Sequence, residues 1–237
     1  LYNQSSLGLF QIENALGSLK ASDSFFKGTF TIGFPAEFGN SVILGIMREV
    51  FVKYPKLKFH FIYGYASEMN RMLLNGEVDI AFIDQYTMDS EIASKPVYEE
   101  YLHLCVAKKY KNIVDDEALK VDDFRDLDFI SYFPDCNLIK TWFQFHFPGS
   151  KIDLYARATA MNVQGVARLI KKGTGVGILP HHYIKYARRN HDGLQVIFEH
   201  RKPLTNVVHL AYLQTREEEP IVKSLTNTFL EILKERY

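Results

Sequence analysis

The stretch from Gly28 to Asp84 alternates short apolar runs with amphipathic ones, and that alternation narrows the folds open to the whole chain. Phe30 to Phe34 is short and alternating, as in a strand. Ile43, Ile46, Met47, Val50, Phe51 and Tyr54 then recur at the spacing of one helix face, predicting a helix from Ser41 to Lys53. Pro55 ends it, because the residue before a proline is pushed out of the helical region. Leu57, Phe59 and Phe61 alternate with Lys58, His60 and Ile62 as a second strand; Ser67 reads as the cap of a short helix that Gly76 stops. Ile80 to Ile83 is a third strand. Strands joined by helices of this length require crossovers, hence a parallel sheet whose accessible loops lie at the carboxyl ends of its strands.

The pattern repeats after Pro96. Leu102, Leu104 and Val106 alternate in a strand, VDDFRDL reads as a capped helical turn, Phe129 to Tyr132 is a strand and Asn137 to Phe147 an aromatic-rich helix. Leu154 to Thr159 is a strand, and Asn162 opens a helix with Val163, Val166, Ala167 and Ile170 on one face and Gly173 at its end. Val176 to Leu179 and Leu194 to Phe198 are short strands flanking a helix. Val207 to Leu213 is a last strand, and Pro220 begins a helix carrying Val222, Leu225, Phe229, Ile232 and Leu233.

These runs carry a family resemblance. G-x-F-x-I-G, a helix closing on F-x-x-Y-P-x-L, then G-E-V-D-I-A resembles the start of the effector-binding domain of LysR-type transcriptional regulators. KPVYEEYLHLCVAKKY resembles that family's crossing into a second subdomain, and VARLIKKGTGVGILP its helix, Gly-rich turn and strand ending in Pro. The resemblance implies an α/β fold of two Rossmann-like subdomains joined by two crossover strands, the type 2 periplasmic-binding-protein-like arrangement. Residues 1–27 would be a linker helix and connection, 28–99 with 204–237 the first subdomain, and 100–203 the second. The crossings near Tyr98 to Tyr101 and Arg201 to Thr205 would act as a hinge, with a small-molecule site in the cleft between two lobes.

Composition agrees with a regulatory rather than a nucleic-acid-binding portion. Lys plus Arg and Asp plus Glu number 28 each, and a chain gripping phosphates should be basic. This portion is therefore not expected to touch DNA, and the resemblance implies that DNA contact runs only through an N-terminal domain absent from this chain. No run approaches a membrane span, and a cytoplasmic location is expected. Tyr2, Leu9 and Leu16 with Ile12 and Leu19 form an a/d seam, either a coiled coil or a helix packed on its own domain; the resemblance places the family's linker helix here.

Val42, Leu44, Phe51 and Val52 widen the apolar arc of the Ser41 to Lys53 helix to roughly 200°, twice a one-sided stripe. A second surface must cover it, within the chain or in a homodimer or tetramer, with Ile46 or Val50 expected near the seam. By the resemblance this helix packs against the partner's helix at Asn162 to Lys172.

Catalytic motifs are lacking: there is no G-x-S-x-G, H-E-x-x-H or P-loop, and no cofactor or metal is expected. Glycines 173, 175 and 177 precede a strand rather than a helix, against a dinucleotide site. His181 and His182 are adjacent, so they diverge on a helix and are expected on a solvated face. Cys105 reads as a small buried hydrophobe. Cys136 begins a helix, where the dipole favours a thiolate, and its placement resembles the reactive cysteine of the family's peroxide-sensing branch. Phe145 stands where that branch would place a resolving cysteine, so a two-cysteine switch within one chain is excluded.

Mapped by position, the family's pocket falls on Pro35, Ala36, Glu37 and Phe38, on Gly64 and Tyr65, on Asp84 and Gln85, on Ser131, Tyr132 and Phe133, and on Met161 and Asn162. Where the family commonly has a small hydroxyl residue, this chain has Ala36 and Glu37, which disfavours an anion; Tyr65, Tyr132 and Phe133 suit flat or cationic groups. The expected effector is a small aromatic or amine-bearing metabolite; the alternative is that Glu37 turns outward to solvent or merely caps the following helix. The alternative class is a solute-binding protein of a transport system on the same fold.

Overall fold

In the computed structural model, which describes residues 26–84, 88–110, 118–190 and 193–236, the alternation becomes two α/β units. One takes the chain up to Glu99 and from Val207 onward; the other is Glu100–Asn206.

Unit 1 is built on a sheet in the order β2 (Leu57–Tyr63), β1 (Gly28–Phe34), β3 (Ile80–Asp84) and β9 (Leu204–Leu213). β1 runs parallel to both neighbours, and β9 antiparallel to β3. Because side chains alternate across a strand, Phe30, Ile32, Phe34, Ile80, Phe82, Leu210 and Tyr212 share one face. Helices α1 (Leu44–Lys53) and α6 (Pro220–Arg236) bury that face with Ile46, Met47, Val50, Val222, Leu225 and Phe229. The opposite face, with Ala81, Ile83 and Ala211, is covered by Met69 and Leu73 of α2 (Ala66–Leu74). Gly33 leaves room for Met69 of α2 to pack on β1: an added Cβ would stand 2.2 Å from the Met69 sulfur and force that side chain to move.

A buried ion network holds the motif G-E-V-D-I-A in place. The Arg216 guanidinium donates to Asp79 at 2.7 Å and to both Glu219 oxygens at 2.9 to 3.0 Å. The second Asp79 oxygen accepts the Thr31 N–H of β1 at 2.6 Å, tying the start of β3 to its neighbour.

Unit 2 contains β4 (Ile92–Ala107, its later part), β7 (Gly177–Pro180) and β8 (Leu194–Val196), both antiparallel to β4, and the parallel pair β5 (Phe129–Ser131) and β6 (Ala156–Thr159). Helix α3 (Asn137–His146) closes an aromatic core in which Phe124 meets Phe143 edge-on at 5.1 Å and Trp142 stacks on Phe198 at 5.9 Å. Helices α4 (Val163–Lys171) and α5 (His181–Arg189) build a second cluster around Ile130, Leu179 and Ile184.

Several sequence expectations are corrected. Helical backbone begins at Ala36, directly after Pro35, running through a π-turn at Gly39–Ile43 into α1; apolar periodicity does not register such a start. The N-cap of α2 is Tyr65, not Ser67, with the Tyr65 N–H donating to Glu68 at 3.0 Å. The expected crossing at Tyr98 to Tyr101 lies within β4, one strand of 16 residues, and β9 begins at Leu204 rather than Val207. The expected strand at Leu154 starts at Ala156, and the one at Leu194 stops at Val196 before Phe198 turns to φ 58°. Ile46 and Val50 are each 0% exposed, so neither can be a seam; the uncovered part of α1 is Leu44, Phe51 and Val52. Gln85 and nearly all of the expected linker helix lie outside the described residues.

Candidate functional site

In unit 1 the parallel register puts the candidate loops side by side. Phe34 pairs with Tyr63, and the Gly64 N–H donates to the Phe34 carbonyl at 3.2 Å, so Pro35 to Glu37, Gly64 and Tyr65 follow the ends of adjacent strands. Asp84 ends β3, opposite Val208. Glu37 does not turn to solvent: it is 9% exposed, and one oxygen accepts the Ser41 hydroxyl at 2.6 Å. Asn40 accepts from the Tyr63 hydroxyl at 2.9 Å, anchoring the π-turn to β2. Burial, and then the Glu68 carboxylate, push the Tyr65 phenol above its ordinary range. Gly64 is close-packed: a Cβ there would meet the Met69 methyl at 2.4 Å. Phe38 departs from the expected set, since its ring packs on Phe82 and Tyr98 at 5.6 and 5.4 Å and is buried in the core.

In unit 2 the corresponding loops follow β5 and β6. The Ala160 N–H donates to the buried Ser131 carbonyl at 3.0 Å, which holds the two loops together. The Tyr132 hydroxyl donates to the Ile178 carbonyl at 2.9 Å, so its ring is fixed against β7. Phe133 and Met161 are exposed. The Asn162 side chain accepts the Gly165 N–H at 2.7 Å as the N-cap of α4, a role that its residue type and position signalled.

Sequence reasoning passed over Ser41, Glu68 and the Asn40–Tyr63 pair. The spacing of Glu37 to Ser41 on one helix face was the available signal; the Asn40–Tyr63 contact is tertiary and had none.

The LysR substrate binding domain family matches residues 24–237. This chain belongs to that family. Among solved structures, the effector-binding domain of QuiR in complex with shikimate shares 17% identity at a TM-score of 0.73, covering 89% of this chain and 99% of that one. The CrgA regulatory domain of Neisseria meningitidis gives 13% and 0.70, with 87% and 99% covered. A hydrogen-peroxide-bound cysteine-to-serine mutant of Corynebacterium glutamicum OxyR gives 18% and 0.74, with 98% and 74% covered. No match was found among curated proteins. The chain is thus the effector-binding domain of a LysR-type regulator with the type 2 periplasmic-binding-protein-like fold, and the resemblance is to regulators rather than to a transport protein.

In this LysR-type domain the glycines that mimic a phosphate cradle have packing roles. Gly173 ends α4 at φ 70°, while a Cβ on Gly175 or Gly177 would come within 2.5 Å of the Asp128 carbonyl or 2.6 Å of the Ile130 carbonyl. His181 and His182 are not solvated as expected: both are half-buried, and His182 Nδ1 lies 3.8 Å from a Glu100 oxygen. Cys105 is buried, which pushes its thiol up. Cys136 is also fully buried, at φ 53°, with Sγ 3.7 Å from the Pro134 carbonyl. Among the described residues no cluster of His, Cys, Asp and Glu could hold a metal, and no helix is long and apolar enough to cross a membrane.

Proposed function

We propose that this domain senses a small metabolite through the carboxyl-end loops of its two units, using Pro35, Ala36, Glu37, Gly64, Tyr65 and Asp84 from the first and Ser131, Tyr132, Phe133, Met161 and Asn162 from the second. Gln85 is kept in the proposal from its position in the sequence. The effector carries an amine or a flat aromatic group rather than two carboxylates. Glu37 carries this reading: a carboxylate 9% exposed stands at the end of β1, held by Ser41 rather than turned to solvent. An anionic ligand about 4 Å from it would be disfavoured by on the order of 1 to 4 kcal/mol at effective dielectrics of 80 to 20. Phe133, 43% exposed, offers an aromatic face for stacking.

The same reading has the domain self-associate and pass the ligand signal to a DNA-binding domain outside this chain, in the cytoplasm. An exposed stripe on α1 supports the association: Leu44 is 38%, Phe51 47% and Val52 76% exposed, with Gly45 and Arg48 between them.

The test is a titration of aromatic amines and small dicarboxylates against wild type and Glu37→Ser, followed by thermal shift. A ligand at about 100 times its dissociation constant should add roughly 2.7 kcal/mol to stability. Tight dicarboxylate binding by wild type, unimproved in Glu37→Ser, overturns the assignment of effector class; sustained turnover of any hit overturns the sensor reading.

A further inference from the structure

The end of the unit 1 sheet remote from the candidate loops holds a cavity of about 220 Å³. Its position follows from the register: Asp84 at the carboxyl end of β3 faces Val208 and Ala81 faces Ala211, so Tyr212, which lines the cavity, lies toward the amino end of β3. Lys95 of β4, Lys223 and Thr226 of α6, and Glu217 and Glu218 of the turn before α6 complete its polar lining. We propose that this cavity is a second small-molecule site, for a zwitterion of the free α-amino acid type.

Three observations carry the proposal. Thr226 is 2% exposed, yet its hydroxyl oxygen has no hydrogen-bond partner among the described residues, and it lines this cavity. A buried hydroxyl left unmade is costly, and a polar atom seated in the adjoining space removes that cost. The second observation is charge. The lining has two ammonium groups and two carboxylates: Lys223 pairs with Glu218 at 3.1 Å, and Glu217 accepts the Tyr212 hydroxyl at 3.0 Å. A simple anion would meet Glu217 and Glu218, and a simple cation Lys95 and Lys223. A molecule bearing both signs is matched on both sides, since each carboxylate has about four acceptor positions and keeps capacity beyond its present partner. The third is size. At about 220 Å³ the cavity is smaller than the roughly 300 to 1,000 Å³ of pockets for drug-sized ligands, the scale of a small metabolite.

The experiment is an amide-resolved NMR titration of the chain with L-serine, in parallel with ethanolamine and 3-hydroxypropionate, which each retain one of its charges. Saturable shifts at Lys95, Lys223 and Thr226, with both analogues at least about tenfold weaker, are expected. Lys95→Met should weaken serine binding by about tenfold or more, and Thr226→Val, nearly isosteric, by a smaller factor, while Glu37→Ser leaves it unchanged. Serine shifts that never saturate up to about 50 mM, as for a cavity filled by water alone, overturn the proposal. So do analogues that bind as well as serine, or serine binding unaffected by Lys95→Met and Thr226→Val in folded variants. Loss on Glu37→Ser instead places serine at the effector loops and removes the second site.

Discussion

Replacing Arg216 by Ala is the sharpest test of what holds unit 1 together. The guanidinium side chain is 7% exposed and satisfies Asp79, whose side chain is 11% exposed, and Glu219, at 19%. Without it, the Asp79 carboxylate stays buried and charged, facing the Thr31 N–H but no cation. Breaking one side of a buried pair costs about 3 to 5 kcal/mol, because the surviving charge is stranded rather than because the pair itself was strongly stabilising. Against a total stability of about 5 to 15 kcal/mol this is a large fraction. With a urea slope of about 3 kcal/mol per molar, the midpoint should fall by roughly 1 to 2 M. The transition should be followed by far-UV circular dichroism together with hydrogen exchange at Thr31, since Trp142, the sole tryptophan, is buried in unit 2 and reports that unit. A double variant, Arg216→Met with Asp79→Leu, removes the most buried stranded charge but leaves Glu219 without its cation, and should recover part of the single-variant loss. An Arg216→Ala midpoint within error of wild type, or a double variant as unstable as the sum of its singles, refutes the stranded-charge argument.

Burial first, then Arg201 and His103, holds His146 down to about 4; burial first, then His182, Lys185 and His103, does the same to His181. The unfolded chain therefore takes up protons first on acidification, near pH 6.5, so stability is full above about 6.5 and falls as pH drops toward 4. His146→Gln with His181→Gln should flatten that slope in urea titrations at stepped pH; an unchanged slope would show that these rings are not its source. Gly177→Ala should cost about 1 to 3 kcal/mol through its approach to the Ile130 carbonyl, whereas Gly45→Ala, with open space around the new methyl, should gain about 0.5 to 1 kcal/mol; calorimetric melting compares the two. Phe51→Asp should leave the melting temperature nearly unchanged and weaken self-association in sedimentation, while Ile46→Asp should unfold unit 1; a wild type that stays monomeric at high concentration removes the interface reading.

The sequence by itself determined the alternation of strands and helices, because side-chain period is a local property. Ile32 and Phe34 on one face, Val166 and Ile170 on another, and Gly76 and Gly173 as stops are legible without any neighbour in space. Family and fold followed from the order of those runs, and the candidate loops from their position after the strands. Tertiary structure decided what depended on residues far apart in the chain. Asp79 and Arg216 are 137 positions apart, so no periodicity links them. Phe38 went to the core and Glu37 to Ser41 once the helix began at Ala36, a start set by the π-turn rather than by the apolar pattern. Residue type marked α1 as apolar over a wide arc, but only packing could say that Ile46 and Val50 face their own sheet while Leu44, Phe51 and Val52 are left outside.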